Sequence, residues 1–344
     1  MDQNYREYML TQLKELVSID SPSGYTEGAE KYLMDELSRL GYEPQRWVKG
    51  GVSAHLAGEG DPIMLLAHVD TLGAMVDCVK PDGRLQLSNV GGLQANNVET
   101  ENVRVVTRFN GTYEGTIQLH NAAAHVNREY ATTQRTFDKT MEVVLDEFVT
   151  SAEDVAKLGI RAGDYVCVEP RFTITSKGYI KSRFLDDKAS ASVLLTLAKY
   201  LRDENITPKR SVYIGFTVYE EVGHGAACGI PEEVTEVMSV DMGCVGEEMT
   251  CTERQVSICS KDGHGPYNYA CTTALLKAAI DNNIDYAIDV YHCYGSDVDV
   301  SLSAGYDIRH TLIGPGVYAS HGYERTHVEG LTNTFDLLRA YLIG

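Results

Sequence analysis

The chain is 344 residues long, with 49 acidic and 30 basic side chains and a formal net charge of −19. Hydrophobic residues at 43% and charged residues at 23% exclude intrinsic disorder as a description of the whole chain. The acidic balance argues against nucleic acid or an anionic membrane as partner, because either would repel such a surface.

The length predicts two domains, or one large domain carrying an insertion. The opening MDQNYREYML is charged and polar, unlike a signal or transit peptide. The longest apolar stretches, Ile63 to Ala67 and Val193 to Leu195, are too short to span a bilayer. A cytosolic protein is expected. The eight cysteines are scattered with no C-x-x-C pair, so they read as reduced packing thiols rather than a zinc site.

Tyr5 to Ile19 and Thr26 to Leu40 carry apolar residues at helical spacing. Gly51 to Ala57 and Pro62 to Ala67 read as strands, the second apolar throughout, as a strand covered on both faces would be. From about Gly73 to Phe172 the texture changes to short β-type runs between turn signals such as Pro81-Asp82-Gly83 and Asn110-Gly111. Strands are expected at Val103 to Phe109, Gly115 to Leu119, Met141 to Phe148 and Tyr165 to Val168, with one helix from Ser151 to Leu158. An α/β texture returns after Asp187, with helices at Ala189 to Asp203, Thr272 to Asn282 and Thr334 to Leu342. Its strands are Ser211 to Val218, Glu236 to Val240, Tyr286 to Tyr291 and Ile308 to Ile313. The fold class is therefore α/β, a sheet flanked by helices, formed by residues 1–72 and 173–344 and interrupted by an all-β module at 73–172.

The informative pattern is where acids and histidines follow the apolar strands. One strand leads to His68 and Asp70, the next to Glu220-Glu221, another to Asp241, and the last through Gly314-Pro315-Gly316 to His321. In open α/β sheets, ligands and catalytic groups gather beyond the carboxyl ends of the strands. Asp186 adds to them; alone it reads as a helix N-cap. So many like charges at one rim would repel unless a cation neutralised them. Histidine with carboxylate suits Zn²⁺, with Co²⁺ or Mn²⁺ as alternatives. The number of donors favours two ions, which hydrolytic centres hold roughly 3.5–4 Å apart.

These segments resemble the M42 metallo-aminopeptidases, within the clan of co-catalytic zinc exopeptidases. The resemblance rests on Ala67-His68-Val69-Asp70-Thr71-Leu72-Gly73, Phe184-Leu185-Asp186-Asp187-Lys188-Ala189, Tyr219-Glu220-Glu221-Val222-Gly223, Val240-Asp241 and Tyr318-Ala319-Ser320-His321, in that order. Leu158-Gly159-Ile160-Arg161-Ala162-Gly163-Asp164 resembles the end of the family's inserted β-barrel. The resemblance implies His68 and Asp241 on one ion, Glu221 and His321 on the other, and Asp186 bridging. Glu220 is then the general base acting on the bridging water, and Asp70 holds His68 in its ligating tautomer. It further implies peptide substrates with a free N-terminus and a homo-oligomer, commonly a dodecameric shell.

Three departures from the pattern stand out. Gly295-Ser296-Asp297-Val298 replaces a Gly-Thr-Asp-Ala segment, leaving Asp297 as a candidate substrate-binding residue. His321 is followed by Gly322-Tyr323, and His327 is a rival to it as the last ligand. His224 reads as a loop residue. Carboxypeptidase, dipeptidase or deacylase chemistry on the same centre is the alternative enzyme reading, and a non-catalytic peptide-binding or assembly protein is the non-enzyme one.

Overall fold

The computed structural model describes residues 1–343. The chain divides into two units, Met1–Asp70 with Arg171–Gly344, and Thr71–Pro170. In the first unit a 12-stranded mixed sheet has four adjacent parallel strands at its centre, ordered Arg210–Thr217, Gly60–His68, Glu236–Val240 and Arg309–Tyr318. Val52–Ala57 closes one side of this set antiparallel to Arg210–Thr217. Val256–Lys261 runs antiparallel along Arg309–Tyr318, with Tyr286–Val290 outside it.

The Gly60–His68 strand shows why the sheet is covered on both faces. Ile63 and Leu65 point into one apolar core, while the alternate Met64 and Leu66 point into another. The first core is filled by the helices Gln3–Ser18, Glu27–Arg39, Leu185–Asp203 and Val328–Ile343. Leu185–Asp203 is buried almost all round, which its run of Ala, Ser and Leu permits.

Two elements differ from expectation in ways that matter for the site. The Arg309–Tyr318 strand runs straight through Gly314-Pro315-Gly316, where turn residues predicted an end at Ile313. A side chain at Gly314 would lie 1.8 Å from the Asp241 carbonyl oxygen, so glycine lets the strand lie against Asp241. The helix predicted from Ala189 begins at Leu185, and Asp186 and Asp187 sit in its distorted first turn with non-helical dihedrals and a cis peptide between them. Asp186 is therefore not a simple N-cap.

The second unit is a closed six-stranded barrel, in the order Gly73–Val79, Leu85–Val90, Met141–Leu145, Thr112–Leu119, Asn102–Val106 and Tyr165–Val168. All its pairings are antiparallel, and closure removes exposed edges. Its helix Ala152–Leu158 starts on a Ser151 cap and ends on Gly159 in the left-handed region. All eight cysteines are free thiols. Among the described residues, no helix is long and apolar enough to cross a membrane.

Candidate metal centre

The carboxyl ends of the four parallel strands bring the acids and imidazoles together. His68 ends its strand opposite Thr217, and Val69 donates its N–H to the Thr217 carbonyl (3.0 Å). Two residues beyond that pairing the chain turns into Glu220 and Glu221. Asp241 follows its strand directly and is anchored by its own N–H to the Ile313 carbonyl (2.8 Å).

Asp186 lies between two histidines. Its Oδ1 is 3.1 Å from His68 Nε2, and its Oδ2 is 3.7 Å from His321 Nε2. His321 Nε2 is also 3.5 Å from Glu221 Oε2, and His68 Nε2 is 3.8 Å from Glu220 Oε2. Ser320 donates to Asp186 Oδ2 (3.0 Å). Donor atoms of His68, Asp186 and Glu221 lie within 4.8 Å of one another, as do those of His68, Asp187 and Asp241. Asp186, Glu220, Glu221, Asp241 and His321 open onto one cavity of about 330 Å³.

The electrostatics are those of an acid cluster with too few protein cations. Burial opposes charge on His68, but Asp186, Glu220 and Asp241 override it and raise its pKa well above the ordinary value. Burial, with like charge from neighbouring carboxylates, pushes Glu220 and Glu221 well up. Asp241 is pushed up to about 7 by burial and then by Asp186. Burial works against the Asp186 carboxylate too, yet its hydrogen bond to His68 holds it below the ordinary range.

Asp187 is fully buried, and neither carboxylate oxygen makes a hydrogen bond of good geometry; the Ser190 hydroxyl favours its charged form without closing one. A buried carboxylate in that condition calls for a cation. Imidazole nitrogen and carboxylate oxygen, with no thiolate, make a donor set suited to Zn²⁺, Co²⁺ or Mn²⁺. The residues present therefore fit divalent metal.

Two other carboxylates hold the loops. The Asp70 carboxylate accepts the Glu220 N–H at Oδ1 (3.1 Å), and at Oδ2 the Glu221 N–H (3.4 Å) and the Ser23 hydroxyl (2.5 Å). His68 Nδ1 lies 3.0 Å from the Asp70 backbone carbonyl but 3.6 Å from its carboxylate. Nδ1–H donation to that carbonyl leaves Nε2 free to face the site. The tautomer thus rests on the Asp70 main chain, while its side chain fixes the Glu-Glu turn. Glu324, also buried, accepts N–H groups from Leu185 (2.6 Å), Asp186 (3.1 Å) and His321 (3.2 Å).

The loops are also conformationally costly. Phe184, Tyr219 and His321 adopt φ of 65°, 69° and 63°. Such left-handed residues cost roughly 1–3 kcal/mol each and persist where the surroundings over-determine them. Each stands on or beside a segment carrying a candidate ligand.

Not every candidate reaches the cavity. His327 is turned away: Nε2 is 2.8 Å from the Lys177 carbonyl, and Nδ1 accepts the Glu329 N–H (3.0 Å). Asp297 is buried, with Oδ2 taken by the Thr217 hydroxyl (2.5 Å) and Oδ1 by the Ala226 N–H (2.7 Å). Its two oxygens face the end of the Arg210–Thr217 strand and the loop after Glu221, and it does not line the acidic cavity. Asp187 and Ser320 stand inside the quoted motifs but take no role from the sequence alone, and Ser23 and Glu324 are not candidates there because their contacts with Asp70 and Leu185 are distant in the sequence.

The profile of the M42 glutamyl aminopeptidases matches residues 50–337. This chain belongs to the M42 family. It is 42% identical over 332 residues, 96% of either chain, to YhfE of Bacillus subtilis strain 168, a protein named as an aminopeptidase. Its fold is that of the aminopeptidase APDkam598 from Desulfurococcus kamchatkensis, with a TM-score of 0.88 at 22% identity over 98% of this chain and 95% of that one. The Pyrococcus horikoshii TET1 peptidase, which assembles into a tetrahedron or a large octahedral shell, gives a TM-score of 0.85 at 21% identity over 97% of this chain and 99% of that one. As an M42 aminopeptidase, the chain is a peptide hydrolase.

Proposed function

We propose that this M42 aminopeptidase works with two divalent ions, Zn²⁺ by preference, held by His68, Asp186, Glu221, Asp241 and His321. The observation that carries this reading is Asp186, whose two oxygens face His68 and His321 separately. His68 and Asp241 would serve one ion, with Asp187 a further donor within reach, and Glu221 and His321 the other. When bound, the ions polarise the scissile carbonyl and bring the pKa of water in the site towards neutrality. Glu220 would take a proton from the water that attacks the scissile carbonyl and deliver it to the amine nitrogen as the C–N bond breaks. The acidic cavity wall, without lysine or arginine, suits a substrate's free ammonium group and offers no partner for a terminal carboxylate. That favours aminopeptidase over carboxypeptidase or deacylase chemistry.

Chelation is expected to abolish hydrolysis of free-amine peptides, and Zn²⁺ or Co²⁺ to restore it at two ions per chain. N-acetylated peptides should not be cleaved. Equal rates on acetylated and free peptides, or full activity after chelation with no metal detected, would sink the assignment.

Glu324→Ala is expected to loosen the ion on the His321 side by about 10–100-fold, the usual worth of a residue that orients ligands. It strips the carboxylate acceptor from three N–H groups at once. Metal titration followed by calorimetry reads the effect; unchanged affinity for both ions refutes the role.

We also propose a homo-oligomer of the shell-forming kind seen for TET1, which light scattering would detect. A reducing cytoplasmic setting is supported by the eight free thiols.

A further inference from the structure

A second cavity, of about 340 Å³, adjoins the metal cavity and shares only Glu220 and Gly295 with it. Its own wall includes His264, Asp299, Val300 and Ser303. We infer that this cavity receives the side chain of the residue being removed, and that Asp299 makes it select Lys and Arg over Glu and Asp. The inference rests on the aminopeptidase reading, with Glu220 beside the scissile bond.

The connectivity gives the first step. A peptide with its amine and carbonyl in the acidic metal cavity has its first side chain one bond from the α-carbon beside that carbonyl. The space reached past Glu220 is the second cavity. Gly295 lines both cavities, and a side chain there would lie 2.6 Å from His264 Cε1, so glycine lets the His264 ring approach the backbone between them. A volume of this order is within the range of small-molecule pockets.

The charge of the wall gives the second step. No lysine or arginine lines this cavity. Asp299 is held in place by the capping box of the helix Asp297–Ser303, its Oδ2 accepting the Ser296 N–H (2.9 Å). His264 Nδ1 lies 3.6 Å from the same oxygen. Behind Asp299 stands Asp262, wholly buried, bonded to the N–H groups of His264 (2.8 Å) and Gly265 (3.2 Å) and to the Tyr267 hydroxyl (2.6 Å). Burial and then Asp262 push Asp299 up to about 7, so the wall is short of positive charge. An incoming ammonium or guanidinium supplies it and lays its aliphatic stem along Val300. An incoming carboxylate finds no lysine or arginine and meets the carboxylates of Asp299 and Glu220. Asp262, His264 and Asp299 also bring donor atoms within 4.8 Å, but both Asp262 oxygens already accept bonds, so a side-chain cation on Asp299 fits better than a third metal.

The test uses the zinc-loaded enzyme with Lys, Arg, Leu and Glu amidomethylcoumarins and metal analysis of each sample. Wild type should favour Lys over Glu by at least about 100-fold in kcat/KM. Asp299→Asn, which keeps a cap acceptor, should lower kcat/KM for Lys and Arg by about 10–100-fold and leave Leu within about threefold. Ser303→Lys at the rim should weaken Lys and favour Glu, and it carries the test if Asp299→Asn fails to fold. A wild type that prefers Glu overturns the inference, as does an equal loss on all substrates in Asp299→Asn. So does an altered preference only at the second residue, or a third ion lost with Asp299. Turnover of none of these substrates by protein holding two ions overturns the aminopeptidase reading itself, and this inference with it.

Discussion

Glu220→Gln is expected to retain two metal ions per chain while losing about 10²–10⁴-fold in kcat, the usual worth of general acid–base catalysis. The substitution keeps size and shape. The Glu220 backbone stays fixed because its N–H, not its side chain, is what Asp70 binds (3.1 Å). The Glu220 carboxylate reaches towards His68 Nε2, at 3.8 Å, without closing a hydrogen bond to it, so the variant leaves that candidate ligand's geometry undisturbed. Proton transfer is then removed together with the charge that Glu220 places near His68. Plasma-emission metal analysis beside steady-state kinetics decides it. Activity within tenfold of wild type would move the base elsewhere, and loss of metal would make Glu220 a ligand.

Asp186→Ala should act on both ions at once. Its two oxygens lie towards different histidines, so its loss removes a donor from both sides. Bound metal is expected to fall from two ions to one or none, and kcat/KM by more than about 100-fold, since residues that merely orient ligands are worth 10–100-fold. Glu221→Ala, by contrast, should spare the His68 side. A double-occupied Asp186→Ala protein would show that the two ions do not depend on a shared carboxylate.

The parallel centre of the fold was legible because Ile63 to Ala67 and Glu236 to Val240 are uninterrupted apolar runs that end in polar groups. The same endings made His68, Glu220, Glu221 and Asp241 visible. The barrel was visible as texture, but Gly73–Val79 and Leu85–Val90 were not assigned as strands, because polar residues interrupt them. Val256–Lys261 was also unassigned, so nothing indicated that Pro315 pairs with Val256 inside a continuing strand. Glu324 illustrates the remaining limit. Its contacts lie 139 residues away at Leu185 and only three away at His321, and no local pattern encodes their meeting. Asp70 was found, but which of its atoms holds His68 depends on a backbone turn that spacing does not specify.

The helix Leu185–Asp203 gives the metal question a thermodynamic side. Asp186 and Asp187 occupy the first turn of an element that is buried along most of its length and packs on Gln3–Ser18 and Val328–Ile343. Such an element does not fray on its own; it opens when the surrounding unit unfolds. Ions held at that turn are therefore coupled to global rather than local opening. Each tenfold excess of free ion over its dissociation constant adds about 1.4 kcal/mol to the stability of the whole unit. Slow amide exchange deep in Leu185–Asp203 should accordingly become slower still as metal is added, making the core of the protein a gauge of its site.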